Sequence, residues 1–252
     1  MMRRSLLLIL LLALGGCDWL PRFSLVSDAQ VERSGLEAWD APRRSTSPSG
    51  NAALQAELDA IATRLLLAAG ERPGEWEAVV FAGQEPNAFA LPGNKIGVFE
   101  GMFPMAGGPD EIAAVVGHEI GHLQADHSQS RMSAELAKSF GLRLIAFLLN
   151  LGDVQFAAEI AAALGLGAEY GLVLPYSRRQ ELEADAHGLE LMAAAGYDPE
   201  AAVDLWRRME AAGAGRLPGF LSTHPAPEDR IEAIEAMLPA IAGGEPVSPS
   251  LR

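Results

Sequence analysis

Residues 109–126 read PDEIAAVVGHEIGHLQAD, and no other stretch constrains the chain so tightly. Gly108, Pro109, Asp110 and Glu111 predict a helix start: proline suits the first turn, and acids meet the positive end of the dipole. Residues four apart on a helix lie one above the other, so His118 and His122 direct two imidazoles at one point. Glu119 sits about 100° round from His118, able to address a water there without being a ligand. Two neutral nitrogen ligands, a carboxylate base and an open coordination position are what a zinc-dependent hydrolysis needs. The competing reading is an ordinary amphipathic helix that happens to carry two histidines. With 5 His in 252 residues, a chance HExxH has a probability of about one in a hundred. A third ligand further along is what decides between them.

Residues 177–196, SRRQELEADAHGLELMAAAG, supply one. Ser177 and Gln180 fit a capping box and Gly196 a C-terminal stop, which together predict a helix. Glu181 and Asp185 share a face, while Glu183 points away. Glu181 can reach the metal, and Asp185 can hydrogen-bond a ligand imidazole or anchor the helix. On its own this would read as a solvated acidic face; beside HExxH it does not. Further on, His224 precedes Pro225 and is held extended, just ahead of a helix starting near Pro227. Three readings of His224 stand: a transition-state hydrogen-bond donor, a fourth ligand that displaces water and keeps the site latent, or a structural turn. Arg230 is a second candidate for the oxyanion or for holding this loop. His127 and His187 read as structural.

The N-terminus is a targeting segment. Arg3 and Arg4 precede an apolar run from Leu6 to Leu14. Nine residues fall well short of the roughly 20 that span a bilayer, so residues 1–16 read as a signal peptide. Leu14-Gly15-Gly16-Cys17 follows, and Cys17 is the only cysteine in the chain. An intramolecular disulfide is therefore impossible. The pattern resembles a bacterial lipobox, which implies lipidation of Cys17, a membrane anchor and a place in the cell envelope, at the inner or outer membrane. Residues 17–50 read as that lipidated N-terminus and a Ser/Pro-rich linker, with a short helix around Asp28–Trp39 as the alternative. The net charge of −14 gives no electrostatic case for nucleic acid or anionic lipid heads.

Between the tether and the metal helix, Leu54, Leu58, Ile61 and Leu65 form a helical stripe ended by Gly70. Strands follow over 76–83, 88–91 and 95–99, the last two joined by the turn Pro92-Gly93-Asn94. Such a small antiparallel sheet can offer an edge to an extended polypeptide, or simply pack under the helix. Residues 128–163 read as largely helical. The apolar stretches within 142–174 are broken by charges and glycines into pieces too short to span; core packing is the default reading, contact with a bilayer surface the minority one.

HEIGH followed some sixty residues later by Glu181-Leu-Glu-Ala-Asp185 resembles the HExxH/ExxAD glu-zincin metallopeptidase family of the CAAX prenyl protease and the heat-shock protease HtpX. Residues 87–101, 176–185 and 222–231 resemble its short bacterial lipoprotein branch, that of LoiP and BepA. The likeness covers roughly residues 51–240 and implies Glu181 as the third zinc ligand. It implies a mostly helical, zincin-like α+β domain over 51–242, with a small antiparallel sheet beside the HExxH helix and a flexible tail over 243–252. The expected site is one zinc ion on His118, His122 and Glu181 with water in the fourth position. Glu119 is then the base, aided by His224 or Arg230, and Asp185 lies behind. The expected activity is endopeptidase action on misfolded or misassembled envelope proteins. The alternatives are an envelope chaperone or adaptor with a structural zinc and, more weakly, a lipid-modifying metallohydrolase. The multiple membrane helices of the prenyl protease and HtpX have no counterpart in the sequence, nor has the helical-repeat domain of BepA.

Overall fold

A computed structural model of the chain describes residues 26–136, 176–213, 218–224 and 230–247. The expected signal peptide, Cys17 and the apolar stretches of 142–174 lie outside them. No helix among the described residues is long and apolar enough to cross a membrane.

Two helices open the described chain, α1 (Asp28–Ser45) and α2 (Ala52–Ala68). Asn51 caps α2, its side chain accepting from the amides of Ala53 and Leu54. Leu58, Ile61 and Leu65 of α2 are buried along one stripe. Strands β1 (Glu77–Phe81), β2 (Ala88–Leu91) and β3 (Lys95–Phe99) form a sheet of order β1-β3-β2. The pairing is mixed, not wholly antiparallel. β2 and β3 form the expected antiparallel pair, but β1 runs parallel to β3, with Val80 opposite Val98. The chain between β1 and β2 carries it past β3, so β3 returns between its two predecessors.

The sheet's two faces are covered differently. Val80, Ala88, Ala90, Ile96 and Val98 join the main core with α2. Phe81, Phe89 and Phe99 cluster on the other side, where Trp39 of α1 stands edge-on to Phe81 and Phe89 at 5.5 and 5.9 Å. Trp39 is 3% exposed, and its indole N–H donates to Glu77 Oε2. The segment read as a linker therefore holds a helix of the domain, the alternative reading of that stretch. At the far end, the Val247 amide donates to Glu190 Oε1 and its side chain packs on the core, so the segment read as a tail is tied down at Val247.

A short α3 (Met102–Met105) leads into α4 (Pro109–Gln124), in which every residue from Glu111 to His122 is buried. α4 lies between the sheet with α2 on one side and α5 (Arg178–Ala195) with α6 (Ala201–Ala212) on the other. The expected capping box at Ser177 and Gln180 opens α5, and Gly196, at φ 74°, closes it in the left-handed region. The last helices are α7 (Pro218–Thr223) and α8 (Arg230–Ala242).

α4 and α5 approach closely, and glycine permits it. A Cβ on Gly188 would stand 3.0 Å from the His118 amide nitrogen and 3.2 Å from the Gly117 carbonyl carbon. One on Gly121 would meet the Ala184 carbonyl oxygen at 2.7 Å. The obstacles are backbone, which no rotamer change relieves. Gly188→Val is therefore expected to force the helices apart, costing about 1–3 kcal/mol. Thermal melting of the metal-free protein should show that loss and metal titration a weakened site; an unchanged melting curve would mean the crossing tolerates bulk.

Candidate metal centre

The α4–α5 crossing brings the residues singled out in the sequence to one point. His118 Nε2 and His122 Nε2 are 3.0 Å apart, and Glu181 carboxylate oxygens lie 3.5 Å from each. A fourth donor completes the set: His224 Nδ1 is 3.2 Å from both His118 Nε2 and Glu181 Oε1. His118, His122, Glu181 and His224 are all buried, with ligand atoms within 4.8 Å of one another. Zinc bonds of roughly 2.0–2.1 Å in a tetrahedron place ligand atoms about 3.4 Å apart, so the donor set fits such an ion. Imidazole lone pairs and a carboxylate turned toward one another, away from water, make poor partners unless a cation sits among them.

At the fourth position, expected to hold water or, on the alternative reading, His224, the structure places His224 from the end of α7. Its ring stacks on Phe220 at 4.8 Å, and its Nε2 lies 3.2 Å from Glu119 Oε1. The other Glu119 oxygen, Oε2, accepts the backbone N–H of Ala90 in β2 at 3.0 Å. Glu119 is therefore held between strand β2 and the fourth donor.

Behind the donors lies an ionic layer. Asp185 Oδ1 is 2.9 Å from His118 Nδ1, the partner expected for a ligand histidine. Arg230 is 1% exposed; its guanidinium donates to both Asp185 oxygens at 2.6 and 2.7 Å and to Glu181 Oε2 at 2.5 Å. It also stacks 4.0 Å over Trp206 of α6. Its Nη2 also lies 3.1 Å from His118 Nδ1 and 3.3 Å from His118 Nε2, and of the two roles expected for Arg230 these contacts with Glu181, Asp185 and His118 support the holding one.

The charges follow. Burial is the largest influence on the Glu181 and Asp185 carboxyls and would raise them, but the Arg230 guanidinium and the neighbouring histidines together outweigh it. Glu181 is held far below the usual range with help from the three histidines, and Asp185 falls to about 2. Burial and Arg230 both oppose a proton on His118, yet the Asp185 and Glu181 carboxylates push it up to about 9. Burial lowers His122 well below its ordinary value. Without a metal, the pocket thus attracts positive charge at the point where the nitrogens converge.

Residues 50–238 match the sequence profile of Peptidase family M48. The chain belongs to that family. Among curated M48-like relatives, it is 42% identical over 178 residues to the mitochondrial metalloendopeptidase OMA1 of Schizosaccharomyces pombe, covering 70% of this chain and 50% of that protein. It is 32% identical to a putative beta-barrel assembly-enhancing protease of Vibrio cholerae, over 69% of this chain and 37% of that one. The metalloprotease LoiP of Escherichia coli is 26% identical over 89% of this chain and 86% of its own length. The chain thus spans half or less of the first two relatives and most of LoiP.

Several neighbours of the site escape a sequence reading. Tyr176 stacks on His122 with ring centroids 3.8 Å apart. His127 meets His122 from below, and the Ala90 amide holds Glu119. A backbone donor carries no residue-type signal. For Tyr176, only its place just before the capping serine marks it.

Proposed function

We propose that this M48 protein is a zinc-dependent endopeptidase of the bacterial cell envelope. Lipid on Cys17 anchors it to a membrane, and it cuts misfolded or misassembled envelope proteins. The observation that carries the reading is the convergence of His118, His122 and Glu181 beside the buried carboxylate of Glu119. The metalloprotease names of its relatives support the chemistry, and the lipobox-like sequence with the likeness to LoiP supports the location. When bound, the zinc supplies Lewis-acid polarisation of the scissile carbonyl and of the attacking water. His118, His122 and Glu181 hold it. Glu119 takes the water's proton and passes it to the leaving amine.

Substrate reaches this base along β2. That strand is one edge of the described sheet, and its Ala90 amide points at Glu119. An extended polypeptide added to the edge runs past the carboxylate, bound by main-chain hydrogen bonds and thus with little regard to sequence. That suits unfolded substrates.

His224, in this arrangement, is the latch of a resting form, filling the fourth vertex and contacting Glu119. His224→Ala is expected to raise hydrolysis of casein by about 5–30-fold at unchanged zinc content, the ratio implied by a 1–2 kcal/mol preference for the latched site. A fall in activity would assign the residue to the oxyanion instead.

The deciding experiment measures zinc stoichiometry and casein hydrolysis on the purified full-length protein, with Glu119→Gln as control. One zinc per chain and cleavage that depends on Glu119 are expected. Casein bound but never cut, with His224→Ala equally inert, would make the protein a zinc-stabilised chaperone.

A further inference from the structure

His122, the second imidazole of the HExxH pair, rests on a side chain the chemistry above leaves unused. His127 is 2% exposed, and its Nδ1 lies 2.9 Å from His122 Nδ1. On an unbroken helix a residue five along points about 140° away from its starting residue. Here α4 stops at Gln124, Asp126 adopts a left-handed φ of 55°, and helical residues resume at 127. That break returns the His127 ring to the back of His122.

Chemistry then orders the protons. Two ring nitrogens 2.9 Å apart share one proton between them, since one must donate and the other accept. His122 Nε2 faces His118 Nε2 and Glu181 across the metal position, so it keeps its lone pair and the proton resides on Nδ1. His127 Nδ1 is then the acceptor, and its own proton lies on Nε2. That nitrogen faces Glu183 Oε2 of α5 at 3.5 Å. Glu183 is thus turned from the metal but toward the histidine that supports a ligand.

We propose that His127 is a positioning residue of the metal centre, fixing the tautomer and ring plane of His122, with Glu183 as the anion behind it. The inference rests on the reading above that His122 binds the metal. Each histidine of the HExxH pair then leans on a carboxylate of α5: His118 directly on Asp185, His122 through a second imidazole on Glu183.

Asparagine and leucine have nearly the same shape, but only asparagine offers an oxygen close to where His127 presents Nδ1. Zinc affinity is measured on the full-length protein by competition with a chromogenic chelator, alongside melting of the metal-free form. His127→Leu is expected to weaken zinc about 10–100-fold, as loss of a partner behind a ligand does, with His127→Asn recovering most of that loss. Equal weakening in both variants would make the ring a space-filler and overturn the proposal, as would wild-type affinity in His127→Leu. Should either variant not fold, 15N spectra of histidine-labelled wild-type zinc protein decide. His127 neutral with its proton on Nε2 is expected; a proton on Nδ1 overturns the assignment. A wild-type protein that takes up no zinc is a different failure, since it removes the metal reading itself.

Discussion

Glu119→Gln is expected to leave one zinc bound per chain and to lower casein hydrolysis by about 10²–10⁴-fold, the contribution of a positioned general base. The substitution is chosen because the surroundings tolerate it. Glu119 is 3% exposed and wedged between β2 and His224, so a smaller side chain would open a cavity and confuse loss of chemistry with loss of fold. Glutamine keeps the shape, and its carbonyl can still accept the Ala90 N–H that Glu119 Oε2 accepts at 3.0 Å. What it cannot do is take a proton. None of the four converging donors is altered, so metal content and melting temperature should stay near wild type. Activity within a few-fold of wild type would mean that another group removes the proton, and His224, 3.2 Å away, would be the next to test. Loss of zinc along with activity would mean that Glu119 is a ligand, against the geometry.

The parts of this arrangement visible in the sequence are those set by local signals. The stripe of α2, the capping box of α5 and the four-residue spacing of His118 and His122 each follow from the helix period and from cap chemistry. Non-local features are not written that way. Helix α1 buries Val31, Gly35 and Trp39 at positions four apart, but a glycine in the middle breaks the apolar pattern that would have announced a core helix. Gly35 is there because Pro92 passes directly against it. The parallel pairing of β1 with β3 depends on which side of β3 the returning chain takes, and strand composition does not encode that. His127 lies five residues after His122, off the face that a continuous helix would present; only the bend at Asp126 brings the two together. For Arg230 the sequence leaves two roles open for a related reason: its partners lie 45 and 49 residues upstream, and only the fold brings them to it.

Arg230→Met should have the largest effect on stability. Methionine keeps an apolar stem against Trp206 but leaves Glu181 and Asp185 buried, 0% and 6% exposed, without their counter-charge. Removing one partner of a buried ionic group typically costs about 3–5 kcal/mol. For a domain of this size that corresponds to a fall in Tm of about 10 °C. The pH dependence distinguishes this cause from simple packing. Asp185 is lowered to about 2 in the folded wild-type protein, against an ordinary value of 3.8, because Arg230, with His118, outweighs the burial that would raise it. A depressed carboxyl stabilises the fold above its ordinary pKa, and that stabilisation disappears as pH falls from about 4 toward 2. In the variant, burial acts unopposed by Arg230, and Asp185 becomes easier to protonate. The stability gap between wild type and Arg230→Met should therefore be widest near neutral pH and narrow as the pH drops below about 4, in metal-free protein where no ion masks the carboxylates. A gap that stays constant with pH would trace the loss to the missing guanidinium stack on Trp206. A gap that narrows would show that Arg230 keeps two buried carboxylates ionised, which is the state in which Glu181 can serve as a ligand.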